Sequence, residues 1–168
     1  DASVGIGKTL VSSSMIDRVA NNLGRKLSEV PVGFKHISSQ MEADDSLIGG
    51  ESSGGLTIRG HIKGKDGVFA SSLLVEMICV TGKKLGELLQ EIYAKYGYAY
   101  TAEGDCTFKP SAKEALYKRI YEDKELPEFA YEIEKVSYED GAKVYFKNGG
   151  WVIARFSGTE PLLRIFAE

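Results

Sequence analysis

Histidine and cysteine are nearly missing from this chain of 168 residues, which carries two of each. His36 and His61 lie far apart with no second ligand cluster near either, so metal binding is not expected of them, although His61 stays a candidate for ligand contact. Cys79 falls in an apolar helical stretch and Cys106 in a polar connector, without the paired spacing of zinc sites. Two reduced thiols are expected, with a disulfide left open. Charge of one sign is missing too, since 21 basic residues stand against 24 acidic ones for a net charge of −3. With neither a basic stripe nor interleaved basic and aromatic residues, nucleic acid and anionic membranes are not expected partners. No apolar run approaches the ~20 residues that cross a bilayer. The start Asp1-Ala2-Ser3-Val4 has no signal-peptide pattern, which leaves a cytoplasmic location as the expectation. The lack of an initiating Met suggests a piece of something longer.

What is present is an ordinary globular composition, 43% hydrophobic, enough for one domain or two small ones. Lys8 to Ser12 reads as a short buried strand, and Ser13 or Ser14 caps a helix running to Leu23 with Gly24 as its stop. Lys26 to Val30 reads as a strand, Phe34 to Met41 as a helix, and Leu47 to Gly50 as a third strand, with a short fourth near Thr57-Ile58. Asp66 is placed to cap a long apolar helix through Val68, Leu73, Leu74, Met77 and Ile78, and a further helix follows from Lys83 to Tyr96. This alternation implies an α/β layer on a mostly parallel sheet, ending at Gly97. Beyond a polar connector that is itself strand-like, Ser111 caps a helix with Ala115, Leu116 and Ile120. Four strands then follow, Tyr131 to Tyr138, Lys143 to Lys147, Trp151 to Phe156 and Leu162 to Phe166. Asp140-Gly141 and Asn148-Gly149 are hairpin signals between them. The expected domains are therefore 1–97 and 98–168, the second a β-meander with one helix.

Arg155-Phe156-Ser157-Gly158-Thr159-Glu160-Pro161-Leu162-Leu163-Arg164 sets two arginines around a small-residue turn. Guanidinium forks, backbone N–H groups and two hydroxyls are the donor set that holds a phosphate. Spacing alone leans to an ordinary hairpin with solvated edge charges. A second Gly-rich segment, Gly49-Gly50-Glu51-Ser52-Ser53-Gly54-Gly55, offers a carboxylate and hydroxyls suited to sugar hydroxyls, and equally describes a plain turn. Lys65-Asp66-Gly67 follows it. The stretch Ala2 to Thr9 loosely matches a nucleotide phosphate loop, but nothing precedes it as a strand and Leu10-Val11 follows as one, so that reading fails.

In combination, G-E-x-S-G, K-D-G and the Arg-x-Ser-Gly-Thr-Glu-Pro loop resemble the α-D-phosphohexomutases, the phosphoglucomutase and phosphomannomutase superfamily. The likeness extends to Lys8-Thr9-Leu10-Val11 and Val32-Gly33-Phe34-Lys35, and so covers the whole chain. It implies the family's third domain, an α/β/α layer with a mixed sheet, followed by a smaller α+β C-terminal domain similar to the TATA-binding-protein fold and lacking its last helix. By the same resemblance Glu51 and Ser53 grip sugar hydroxyls and Lys35 reaches substrate oxygens, while Ser157, Gly158, Thr159 and Arg155 hold the phosphate with help from Arg164. Ser52 stands where many relatives have Glu, at a variable position.

The implied activity shifts phosphate between the 1 and 6 positions of a hexose through a phosphoserine and a hexose 1,6-bisphosphate. The serine loop (T-A-S-H-N-P type) and the magnesium loop (D-G-D-x-D-R type) occur nowhere in this sequence. No catalytic residue is therefore expected here. Magnesium and the N-terminal domains would belong to the rest of a longer protein, and this part alone would be inactive. A non-catalytic phosphosugar-binding or interaction module is the alternative, and an α+β domain with coincidental loops is the plainest one.

Overall fold

The computed structural model describes residues 4–158 and 160–168. The chain divides into two compact units, Asp1–Ala99 and Tyr100–Glu168, where the sequence placed a break at Gly97.

The first unit is built on a four-stranded mixed sheet in the order β2-β1-β3-β4, formed by β1 (Ile6–Thr9), β2 (Leu27–Val30), β3 (Ile48–Gly50) and β4 (Leu56–Ile58). β1 runs parallel to β2 and β3, with Ile6 opposite both Leu27 and Ile48, and β4 returns antiparallel with Ile58 opposite Ile48. The first strand thus lies earlier than the apolar pair Leu10-Val11 suggested. Those two side chains are buried, but the chain there is already turning, with Ser12 N–H donating to the Thr9 carbonyl at 2.9 Å.

Helices α1 (Met15–Asn22) and α2 (Phe34–Asp44) follow β1 and β2. Ser14 is the N-cap residue of α1 but its side chain makes no cap bond; the Ser13 hydroxyl accepts from Met15 N–H at 3.0 Å and that of Ser14 from Arg18 Nη2 at 3.3 Å. α2 lies against β1, β2 and β3 and buries Ile37 and Met41. A Cβ on Gly49 would stand 2.5 Å from Ile37 Cγ2 and 2.7 Å from Met41 Sδ, so a bare strand is what lets this helix close on the sheet. Lys8 is buried, and its ammonium pairs with Asp17 of α1 and, at 3.3 Å, with Glu29 of β2.

Helices α3 (Gly67–Thr81) and α4 (Leu85–Tyr96) complete the unit. Asp66 caps α3 as its sequence position implied, accepting from Phe69 N–H at 3.0 Å. No residue of α3 is buried, however, although its sequence is almost wholly apolar. Arg18 of α1 donates to the carbonyls of Tyr96 and Tyr98, each at 3.1 Å, so a cation meets the C-terminal end of α4 where the helix dipole favours one.

The second unit is a five-stranded antiparallel sheet in the order β5-β9-β8-β7-β6. Its strands are β5 (Ala102–Thr107), β6 (Ile133–Ser137), β7 (Ala142–Phe146), β8 (Trp151–Phe156) and β9 (Leu162–Ala167). The last four form the expected meander, and the polar connector supplies β5, which adds to β9 with Asp105 opposite Arg164. Val144, Phe146, Trp151 and Ile153 are buried. Phe156 meets Phe108, Tyr117 and Tyr121 at ring separations of 5.7, 6.0 and 5.8 Å, which pins the short helix α5 (Lys113–Tyr117) and the π turn after it to the sheet. Ser111 is not the cap of that helix. It sits inside a 3₁₀ turn, Pro110–Ala112, because Pro110 starts the turn with its fixed φ.

Candidate functional site

In the first unit three parallel strands deliver their following loops to one edge of the sheet. β1 leads out to β2 on one side and has β3 on the other, so a topological switch point falls between β1 and β3, where open α/β sheets place ligands. Glu51 comes directly after β3 at that edge. Its side chain is only 6% exposed and its Oε2 lies 2.7 Å from Lys65 Nζ. Its Oε1 accepts the backbone N–H of Gly33 at 3.0 Å. The loop closes on itself, with Glu51 N–H donating to the Gly55 carbonyl at 2.9 Å and Gly54 N–H to the Glu51 carbonyl at 3.0 Å.

One carboxylate therefore ties together the segments carrying Gly33-Phe34-Lys35, Glu51-Ser52-Ser53-Gly54-Gly55 and Lys65-Asp66-Gly67. Gly33 holds φ at +127° at the start of α2, a conformation that side chains rarely adopt. Lys65 reaches over the Phe34 ring at 5.9 Å. Ser53 and Lys35 are exposed, Ser53 at the loop turn and Lys35 on the first turn of α2.

His61 is taken up locally. Its ring stacks on Phe69 at 3.8 Å and its Nε2 lies 3.0 Å from Asp66 Oδ2. The Phe69 backbone N–H, and then His61, hold the Asp66 carboxyl below its ordinary pKa. The arrangement secures the start of α3, and Lys65 immediately before it.

In the second unit β8 and β9 form the two sides of the arginine loop. Arg155 sits directly opposite Arg164 in their register, so both side chains rise from the same face of the sheet. Ser157 N–H donates to the Leu162 carbonyl at 2.9 Å, and the Ser157 hydroxyl accepts from Glu160 N–H at 3.2 Å. Gly158 is exposed, and Thr159 lies outside the described residues. Like charges opposed across strands are destabilising, and each arginine has a carboxylate beside it. Arg155 Nη2 is 3.0 Å from Asp140 and Arg164 Nη2 is 3.8 Å from Glu160. Burial pushes the Tyr121 phenol up in pKa, and the Arg155 charge pulls against that.

Two residues of these clusters escaped the sequence reading, Lys65 as the partner of Glu51 and Asp140 as the partner of Arg155. Lys65 left a signal in its place next to the Asp66 cap. Asp140 was legible only as half of a hairpin turn. Among the described residues no group of three or more His, Cys, Asp or Glu side chains could hold a metal ion. Cys79 and Cys106 are both free and exposed, and no helix among the described residues is long and apolar enough to cross a membrane.

Residues 1–96 match the family model for phosphoglucomutase/phosphomannomutase, alpha/beta/alpha domain III, and residues 107–168 match that for the C-terminal domain. A phosphoglucomutase of Komagataeibacter xylinus is 36% identical, over 100% of this chain and 33% of its own length. A phosphoglucomutase/phosphomannomutase of Thermococcus kodakarensis is 31% identical, over 95% of this chain and 33% of its own. Among solved structures, the Paramecium phosphoglucomutase pp63/parafusin in its open form is 25% identical with a TM-score of 0.73, covering 96% of this chain and 32% of that one. A family protein of Burkholderia thailandensis, 17% identical, shares the fold at a TM-score of 0.75 over 99% of this chain and 33% of that one. The chain thus spans about a third of the length of these relatives.

Proposed function

This chain belongs to the phosphoglucomutase/phosphomannomutase family, through its domain III and its C-terminal domain, and on that premise we propose that it is the substrate-holding part of a cytoplasmic phosphohexomutase. The reaction served is the interconversion of hexose 1-phosphate and hexose 6-phosphate by way of a hexose 1,6-bisphosphate. The observation that supports this most is the convergence on Glu51, whose buried carboxylate joins three separate segments at the switch point of the sheet.

A carboxylate oxygen has lone pairs to spare after one bond. Glu51 accepts from a sugar hydroxyl while Gly33 N–H and Lys65 hold it in place. Ser53, exposed on the same loop, supplies a second hydroxyl contact, and Lys35 acts as a mobile point charge. The second unit takes the phosphate. Arg155 and Arg164 offer planar forks, and Ser157, Gly158 and Thr159 offer small groups and backbone donors around the anion.

Binding and orientation are the contribution of these residues. Phosphoryl transfer needs a phosphoryl-accepting group and a metal to offset developing charge. The described residues do not fit magnesium, having no carboxylate cluster for it, so the reading gives this chain alone no mutase activity. A non-catalytic phosphosugar-binding or interaction module is the competing reading.

Calorimetric titration of glucose 1,6-bisphosphate into the chain at low salt tests the proposal. Binding that falls with Arg155→Ala and with Glu51→Ala is the expected result. Binding indifferent to both would sink it, and conversion of glucose 1-phosphate by the purified chain would overturn the inactive reading.

A further inference from the structure

We infer that Asp140 is a positioning residue for the arginine loop, fixing the rotation of the Arg155 guanidinium so that its outer edge is presented to a phosphate. This rests on the reading of the Arg155 loop as a phosphate subsite. Arg155 Nε donates to the Asp140 backbone carbonyl at 3.0 Å, and Nη2 donates to the Asp140 carboxylate, 3.0 Å from Oδ1 and 3.0 Å from Oδ2. One edge of the guanidinium plane, Nε with one hydrogen of Nη2, is thereby committed to a single residue. Nη1 and the other hydrogen of Nη2 form the opposite edge, which has no partner among the described residues. That free edge is the pair of parallel donors a phosphate takes bidentately.

The turn is shaped around the arginine. Gly141 sits at φ +121°, and a Cβ there would stand 2.5 Å from Arg155 Cγ and 2.8 Å from the Ala154 carbonyl. The aliphatic stem of Arg155 occupies the place of a side chain at 141. A hairpin needs a residue tolerant of positive φ at such a position, but it does not need an arginine lying over it. Asp140-Gly141 therefore combines a turn with a cradle. Arg155 is also opposed by Arg164 across the strand pair. Without a fixed counter-charge the two guanidiniums would turn apart, and the side chain would regain the rotamer freedom that a long flexible cation carries when unbound. The Arg155 side chain is 19% exposed, so it still reaches solvent while held.

The test uses the whole chain labelled with ¹⁵N, with inorganic phosphate and glucose 1,6-bisphosphate titrated in parallel. In the wild type the Arg155 Nε–H should resist exchange with water, and it should move on titration. Asp140→Ala keeps the backbone carbonyl for Nε but removes the carboxylate that holds Nη2, so it should weaken that protection and lower bisphosphate affinity by about tenfold, a loss on the scale of one charge-assisted contact. Asp140→Asn keeps a carboxamide oxygen for Nη2 and the backbone carbonyl for Nε. It should return affinity to within about threefold of wild type, which a general loss of stability would not allow. In an Arg155→Ala background Asp140→Ala should change nothing further.

Affinity unchanged or increased in Asp140→Ala would overturn the inference, making Asp140 a bystander or a competitor for the guanidinium. So would a wild-type Arg155 Nε–H that exchanges like that of an exposed arginine, a result readable without any ligand. Phosphate binding that survives Arg155→Ala would instead sink the underlying phosphate-subsite reading.

Discussion

Glu51 in the first unit and Asp140 in the second each hold a cation, but they hold it for different ends. In the proposed reading Glu51 itself meets ligand, and it fastens loops distant in sequence, through Gly33 and Lys65. Asp140 stands behind the group that would meet ligand in the proposed reading, holding that group's inner edge. The contrast follows from how each site is carried. Loops arriving from three separate strands have no common register, so a buried acceptor must fix them to one another. Two strands of one hairpin already set Arg155 and Arg164 opposite each other, which leaves only the rotation of a long side chain to be fixed.

The comparison breaks most readily at Gly141. Gly141→Ala combines a positive-φ strain with a Cβ driven into Arg155 and the Ala154 carbonyl, and we expect a loss of about 3 kcal/mol in urea unfolding. A cost under about 1 kcal/mol would show that the turn does not depend on the arginine stem. Next in size is Glu51→Ala, expected to cost about 2 kcal/mol because Gly33 N–H loses its acceptor. Glu51→Gln sharpens the point. It keeps an acceptor for Gly33 and gives up only an ion pair to Lys65, which is 55% exposed and heavily screened, so about 1 kcal/mol or less is expected. Equal costs for the two variants would mean that the ion pair, not the clamp on Gly33, holds the loops.

A smaller effect concerns the cap beside Lys65. The Asp66 carboxyl is held below its ordinary pKa by Phe69 N–H and His61. Its contribution to folding is present in full above the ordinary carboxylate range and is lost as pH falls through the lowered folded value. Asp66→Asn, a good cap without the charge, should remove that acid dependence from the helical circular dichroism while leaving helicity at neutral pH. An unchanged acid profile would place the titration elsewhere. Smallest is Val75→Ser on α3, where the side chain is exposed, with a shift within about 0.5 kcal/mol. A cost like that of a core deletion would show that this face is covered in solution.

Much of the fold was legible because local patterns carried it. Trp151–Phe156 is the strand its apolar run implied, the Asp140-Gly141 and Asn148-Gly149 signals fall between strands, and Asp66 caps where its spacing placed it. The misreadings have identifiable causes. Leu10 and Val11 are apolar because they are buried in a turn, which an apolar run cannot distinguish from a strand. Ser111 looked like a cap, but Pro110 before it had already begun a tighter turn. The composition of α3 reads as core, yet none of its residues is buried in this chain.

The same division runs through the candidate sites. Glycines with positive φ, the arginine pair and the Glu51 loop declare themselves in the sequence, since each is a local demand of backbone geometry or donor chemistry. The pairing of Glu51 with Lys65 and Gly33, of Asp140 with Arg155, and of β5 with the β9 edge was decided only in the tertiary structure. A lysine or an aspartate has the same local signature whether it is solvated or holds a partner many residues away. The choice among partners is made when sheets and helices close and burial raises the cost of a polar group left alone.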